Sequence, residues 1–144
     1  MNLIKSNNPK LKKVSEPVEN IGKAITFSKN LLHVLGKTKN GVGLAAVQVG
    51  YLKRMFVIQW AGKSMIIINP TIVKYSFKKV KTKEGCLSYP NIFVTVKRSF
   101  WIDVTYTDGK AKLVEERLLG MDARVFQHEY DHLDGVCKVG DNTK

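Results

Sequence analysis

The pattern His128-Glu129-Tyr130-Asp131-His132 constrains this chain more than any other feature. On an α-helix, positions i and i+4 share a face, with Cβ atoms about 5–6 Å apart. Two imidazoles so placed can grip one transition-metal ion, and a glutamate beside the first can handle a proton of metal-bound water. The surrounding residues agree: 121–133 has helical periodicity, and Gly135 closes it in the C-cap region. With three His in the chain, composition alone produces such a match about 0.2% of the time.

A catalytic site of this kind needs a third protein ligand and one open position. A histidine six residues after the second would stand at 138, which is lysine, and too few residues follow His132 to supply a ligand from a later helix. His33 falls on an earlier predicted helix and is as readily a packing or surface residue. Cys86, in Glu84-Gly85-Cys86-Leu87-Ser88, is the remaining strong candidate. Its thiolate suits zinc or ferrous iron, although a cysteine is equally at home as a small buried hydrophobe. Cys137 follows the helix end and reads as structural. A purely structural metal would take four protein ligands. Only three can be named, so an open site is expected.

The rest of the chain reads as α+β. Residues 19–37 carry apolar positions at three- and four-residue steps, an N-terminal amphipathic helix. Strand-like runs follow at 54–60, 64–69, 71–80, 92–97 and 100–107, with Pro70 separating the second from the third. Asp108-Gly109 is a hairpin signal, and 112–118 is the returning strand. Strands do not alternate with helices, which excludes a doubly wound sheet. The 144 residues suit one domain, 1–144. Between the helix and the first strand lies G-V-G-L-A-A-V-Q at 41–48. It is a glycine-rich stretch where backbone can approach a ligand closely and the Gln48 amide can donate to a developing oxyanion.

Charge and targeting narrow the setting. The net charge is +12 and uneven: residues 1–83 hold 16 basic and 2 acidic side chains, the remainder 8 and 10. The lysine excess suits a solvated surface or a polyanion contact. Only four arginines are present, so sequence-specific nucleic-acid recognition is not expected. No run approaches the roughly 20 apolar residues of a membrane helix. The first ten residues lack an apolar core and the two cysteines cannot make a disulfide scaffold, so a cytoplasmic protein is expected.

Taken together and in order, G-V-G-L-A-A-V-Q at 41–48, E-G-C-L-S at 84–88 and Q-H-E-Y-D-H-L-D-G at 127–135 resemble the three signature motifs of peptide deformylases. The resemblance implies antiparallel sheets around a central C-terminal helix bearing the two histidines. It also implies removal of the N-formyl group from the formylmethionine of nascent peptides, releasing formate. By motif, Cys86, His128 and His132 would bind one divalent ion, usually Fe2+, with Zn2+ or Ni2+ also accepted, and water would take the fourth position. Glu129 would be general base and then acid, and Gln48 with the backbone N–H of Leu87 would stabilise the oxyanion. Gly43 and Gly85 would meet the peptide, Val42 and Val125 would wall the methionine pocket, and Glu84 would support a metal-binding histidine. The alternative is another metal-dependent amidase or peptidase with the same Cys/His/His site. A basic RNA- or ribosome-binding module with a structural metal is a third reading.

Three departures from the family pattern are visible: Val47 stands where proline is frequent, only nine residues follow Gly135, and the segment Tyr89-Pro90-Asn91-Ile92-Phe93 after Ser88 is individual to this chain, leaving peptide preference beyond methionine open. Short forms of this kind resemble bacteriophage-encoded deformylases, and the shortness puts a C-terminal ribosome-docking element in doubt. A monomer acting on nascent peptides is expected, with a transient electrostatic ribosome contact.

Overall fold

The computed structural model describes residues 1–141, so the last three residues of the expected 1–144 unit lie outside the described residues. An irregular lead-in with a 3-10 turn at Pro9–Lys12 precedes α1 (Ile21–Gly36). Asn20 caps that helix, its Oδ1 accepting the Lys23 N–H at 3.0 Å. Then come β1 (Gly43–Ala45), β2 (Met55–Trp60), β3 (Lys63–Tyr75), β4 (Lys79–Cys86), β5 (Tyr89–Ser99), β6 (Trp101–Thr107) and β7 (Leu113–Leu119). The described residues end in α2 (Gly120–Leu133) and a one-turn α3 (Lys138–Asp141). A five-stranded antiparallel sheet runs β1-β2-β3-β6-β7, and β4 and β5 form a separate two-stranded antiparallel sheet.

The apolar run 55–58 is buried on both faces of the larger sheet. Phe56 and Ile58 join Ile67, Ile102, Val104, Leu118, Phe126 and Leu133 under α2. Met55 and Val57 pack instead with Ala24, Leu31 and Leu35 of α1. Strand residues alternate between faces, so the two helices lie on opposite sides of this sheet. Each large side chain so buried contributes about 1.5–3 kcal/mol. Phe126 anchors α2, its ring meeting Phe56 edge-on at 5.0 Å.

Three expectations about strands need correction. Pro70 is no strand boundary: β3 runs through it. The chain bulges there instead, the register with β6 shifting between Ile68 and Thr71 and Asn69 taking a φ of 50°. Asn69 is held in that conformation by accepting the Val18 N–H at 2.7 Å and donating to the Val18 carbonyl at 2.9 Å. The expected strand at 71–80 ends at Tyr75, and Lys79 begins β4. The glycine-rich stretch yields β1, an edge strand paired with β2. The Asp108-Gly109 hairpin is present with a longer loop, where Asp108 Oδ1 accepts the N–H groups of Lys110 and Lys112.

Candidate metal centre and active site

What brings Cys86 to the histidines is a set of polar ties between β5 and α2. Gln127 grips Ser99 at the end of β5 at two points, accepting its N–H and donating to its carbonyl, both at 3.0 Å. One residue earlier, Arg98 is 3% exposed and donates to both oxygens of Glu84 at 2.8 and 2.9 Å and to Asp131 of α2 at 2.7 Å. Glu84 Oε1 in turn meets His128 Nδ1 at 3.0 Å. That contact orients the ring and leaves its Nε2 for an ion. Burial pushes the Glu84 carboxyl up, but the bonds from Arg98 and His128 prevail and hold it well below the usual carboxylate range. The charged pair is therefore fixed beneath the site, two residues from Cys86.

At the end of β4, Cys86 Sγ stands 3.4 Å from His132 Nε2, and the two imidazole rings are 5.1 Å apart. Gln48 approaches from the turn after β1. Its Oε1 accepts the Ala45 N–H at 2.9 Å, which aims Nε2 at the Ser88 hydroxyl at 3.2 Å and the Cys86 sulfur at 3.5 Å. Glu129 is 3% exposed, and burial pushes its carboxyl up to about 8 against the opposing pull of His132. Its Oε1 is buried with no hydrogen-bond partner among the described residues. A cation beside it would favour the carboxylate.

A cavity of about 610 Å³ opens over this point, its wall including Val42, Gly43, Gln48, Gly85, Cys86, Leu87, Val125, His128 and Glu129. Gly43 matters by what it lacks: a Cβ there would stand 2.6 Å from Glu129 Oε2 and 2.7 Å from Val125 Cγ1. Of the residues singled out in the sequence, the structure thus gathers Val42, Gly43, Gln48, Glu84, Gly85, Cys86, Leu87, Val125, His128, Glu129 and His132 around one place. His33 is exposed on α1 and belongs neither to the cavity wall nor to the donor cluster.

Cys137 requires a correction. One ligand atom from each of Cys86, His128, His132 and Cys137 lies within 4.8 Å of the others. The residue read as structural thus stands within reach of the other three, and the expectation of an open site can no longer rest on there being only three candidates. Two sulfurs and two imidazoles suit a borderline-soft divalent ion such as zinc or ferrous iron. The residues present therefore fit the metal the motifs imply.

The deformylase resemblance is borne out over the chain. The family model described as polypeptide deformylase matches residues 1–141. The chain belongs to the polypeptide deformylase family. The peptide deformylase of Thermotoga maritima is 42% identical over 136 residues, which cover 91% of this chain and 80% of that one. The crystal structure of the peptide deformylase from Thermotoga maritima superposes with a TM-score of 0.90 at 38% identity, covering 94% and 92% of the two chains. That of a probable peptide deformylase from Synechococcus phage S-SSM7 has a TM-score of 0.90 at 32% identity, covering 95% and 96%. Deformylase membership and the donor cluster together point to one metal ion.

Sequence reasoning missed Arg98, Asp131, Ser88 and Cys137. Arg98 carried a signal, since an arginine in so lysine-rich a chain marks a place for bidentate pairing with a carboxylate. Nothing in the sequence tied Cys137 to Cys86, because 51 positions separate them.

Proposed function

We propose that the protein removes the N-formyl group from formylmethionyl peptides, with Cys86, His128 and His132 holding one divalent ion. The observation that carries this reading is the meeting of these donors with Glu129 and Gln48 at one wall of a cavity bordered by an edge strand. When bound, such an ion acidifies water and polarises a carbonyl oxygen.

The chain's own residues supply the rest. Gly43 on β1 and Gly85 on β4 present backbone to an extended peptide, a strand-addition mode of recognition. Val42 and Val125 wall the pocket for the methionine side chain. Glu129 takes a proton from the attacking water as the new C–O bond forms at the formyl carbon. The Gln48 amide and the Leu87 N–H donate to the oxyanion that develops there. Collapse breaks the C–N bond, Glu129 returns the proton to the leaving amine, and formate departs. Proton handling of this kind contributes about 10²–10⁴ in rate, and one oxyanion donor about 10²–10³.

Fe2+ is the ion we favour, with Zn2+ or Ni2+ as substitutes. The whole chain, residues 1–144, acts as one catalytic unit, a monomer working in the cytoplasm. Among the described residues, no helix is long and apolar enough to cross a membrane. The basic first half aids encounter with ribosomes displaying nascent chains, and that contact weakens as salt rises. The test is formate release from a formyl-Met tripeptide by anaerobically prepared, iron-loaded protein. Release is expected, with internal peptide bonds left intact; cleavage of internal bonds without formate release would refute the assignment.

A further inference from the structure

Deformylation by these residues makes no use of Cys137, yet the fold places that side chain with care. Gly135 leaves α2 with a φ of 74°, its N–H bonded to the His132 carbonyl at 3.1 Å, so the chain doubles back over the helix end. Two residues later, the Cys137 N–H donates to Asp141 Oδ2 at 3.3 Å, and its carbonyl accepts the Asp141 N–H at 2.7 Å. The α3 turn thus closes on Cys137 from the far side. Leu11, Tyr89 and Val139 surround its buried side chain. Packing alone would accept any small apolar residue there, but the sulfur is turned to the one place where two imidazoles and a second sulfur meet.

We propose that Cys137 is a fourth protein ligand of the metal ion, completing a set of two thiolates and two imidazoles. The proposal deepens the deformylase reading and rests on it. Tetrahedral sites with metal–sulfur bonds of about 2.3 Å and metal–nitrogen bonds of about 2.0–2.1 Å require donor separations of roughly 3.3–3.8 Å. The 3.4 Å between Cys86 Sγ and His132 Nε2 already meets that. The 4.8 Å limit on all pairs leaves contractions of about 1 Å, within the reach of side-chain torsions.

Cys137 also comes from the right side. The cavity wall includes Cys86, His128, Glu129 and Gln48, whereas the buried Cys137, like His132, is not part of it. A sulfur bound from the interior leaves the cavity face accessible for a fifth contact during reaction, an expansion zinc sites allow. Charge accounts for the benefit. Two thiolates neutralise a divalent ion, where one thiolate and two neutral imidazoles leave it with a net positive charge in a buried site. The second sulfur therefore strengthens retention of the ion and softens its polarising power.

X-ray absorption on the zinc-loaded wild-type chain, prepared under reducing conditions, reads the ligands directly. Two sulfur and two nitrogen scatterers are expected; one sulfur with three lighter atoms would overturn the proposal and needs no variant. Cys137→Val, which keeps the apolar packing, should show one sulfur and release zinc to a chelator at least about tenfold more readily, since even outer partners of ligands affect affinity by 10–100-fold. Unchanged retention in a folded variant, checked by circular dichroism, would equally overturn it. Formate release from a formyl-Met tripeptide is measured on the same samples. Wild-type turnover with one sulfur would sink Cys137 as a ligand and leave the deformylase reading standing. Two sulfurs without turnover would do the reverse.

Discussion

Gly43→Ala adds one methyl group where β1 passes α2. The new Cβ would stand 2.6 Å from Glu129 Oε2, 2.7 Å from Val125 Cγ1 and 3.0 Å from Glu129 Cγ. Ordinary contact begins near 3.4 Å, so something must give by about 0.8 Å. The strand cannot retreat easily, because Gly43, Leu44 and Ala45 are paired with Ile58, Val57 and Phe56 of β2. Nor can Val125, on a helix pinned by Phe126. The Glu129 carboxylate is the softest element and yields. Overpacking of this kind costs about 1–3 kcal/mol of stability, and a 1 Å displacement of a reacting group costs on the order of 100-fold in rate. Steady-state kinetics on a formyl-Met tripeptide should show kcat/KM lower by about that factor, with most of the loss in kcat, and thermal melting should show a modest drop. Gly36→Ala is the control, since its nearest neighbour is the Gln59 Oε1 at 3.6 Å and its activity should match wild type. If Gly43→Ala retains activity within twofold while folded, the close approach has no bearing on Glu129 and the reasoning fails.

Removing Arg98 strands Glu84 as a buried charge, so Arg98→Ala should lose about 3–5 kcal/mol in denaturant unfolding and bind its metal about 10–100-fold more weakly by chelator competition. Glu84 is held below its ordinary range in the folded chain. Its share of stability is therefore complete above about pH 4.3, the unfolded value, and is lost as pH falls from there toward the folded value. Metal-free wild type should lose melting temperature on acidification below that point more steeply than Glu84→Gln. Arg54 donates to the Leu133 carbonyl at 3.0 Å and to Asp134 at 2.9 Å, capping the C-terminus of α2. Arg54→Ala should cost about 1–2 kcal/mol, a fall of roughly 3–8 °C in Tm, with little change in KM.

Legibility in the sequence followed the range of the forces involved. The two histidines and Glu129 lie within one helical turn, so local geometry sufficed to place them on a shared face. Helix α1 and strand β2 announce themselves by periodicity and by an apolar run buried on both faces. The bulge at Asn69-Pro70 was opaque because its cause is remote: Val18 supplies the hydrogen bonds that hold Asn69 in place. Similarly, the docking of the β4–β5 hairpin on α2 comes from Arg98 reaching Asp131 and Gln127 reaching Ser99. Cys137 looked like packing because its place beside Cys86 and the histidines depends on where the chain turns after Gly135, which periodicity does not encode. Residue chemistry made Cys86 and Gln48 candidates, and the motif resemblance gave each its expected role.

Glu129→Ala, assayed for bound metal and for formate release together, bears most directly on the claim that this cluster holds an ion for Glu129 to work beside. One ion per chain should remain, because the donors are untouched, while turnover falls by about 10²–10⁴. A metal-loaded variant that turns over at the wild-type rate would contradict the account.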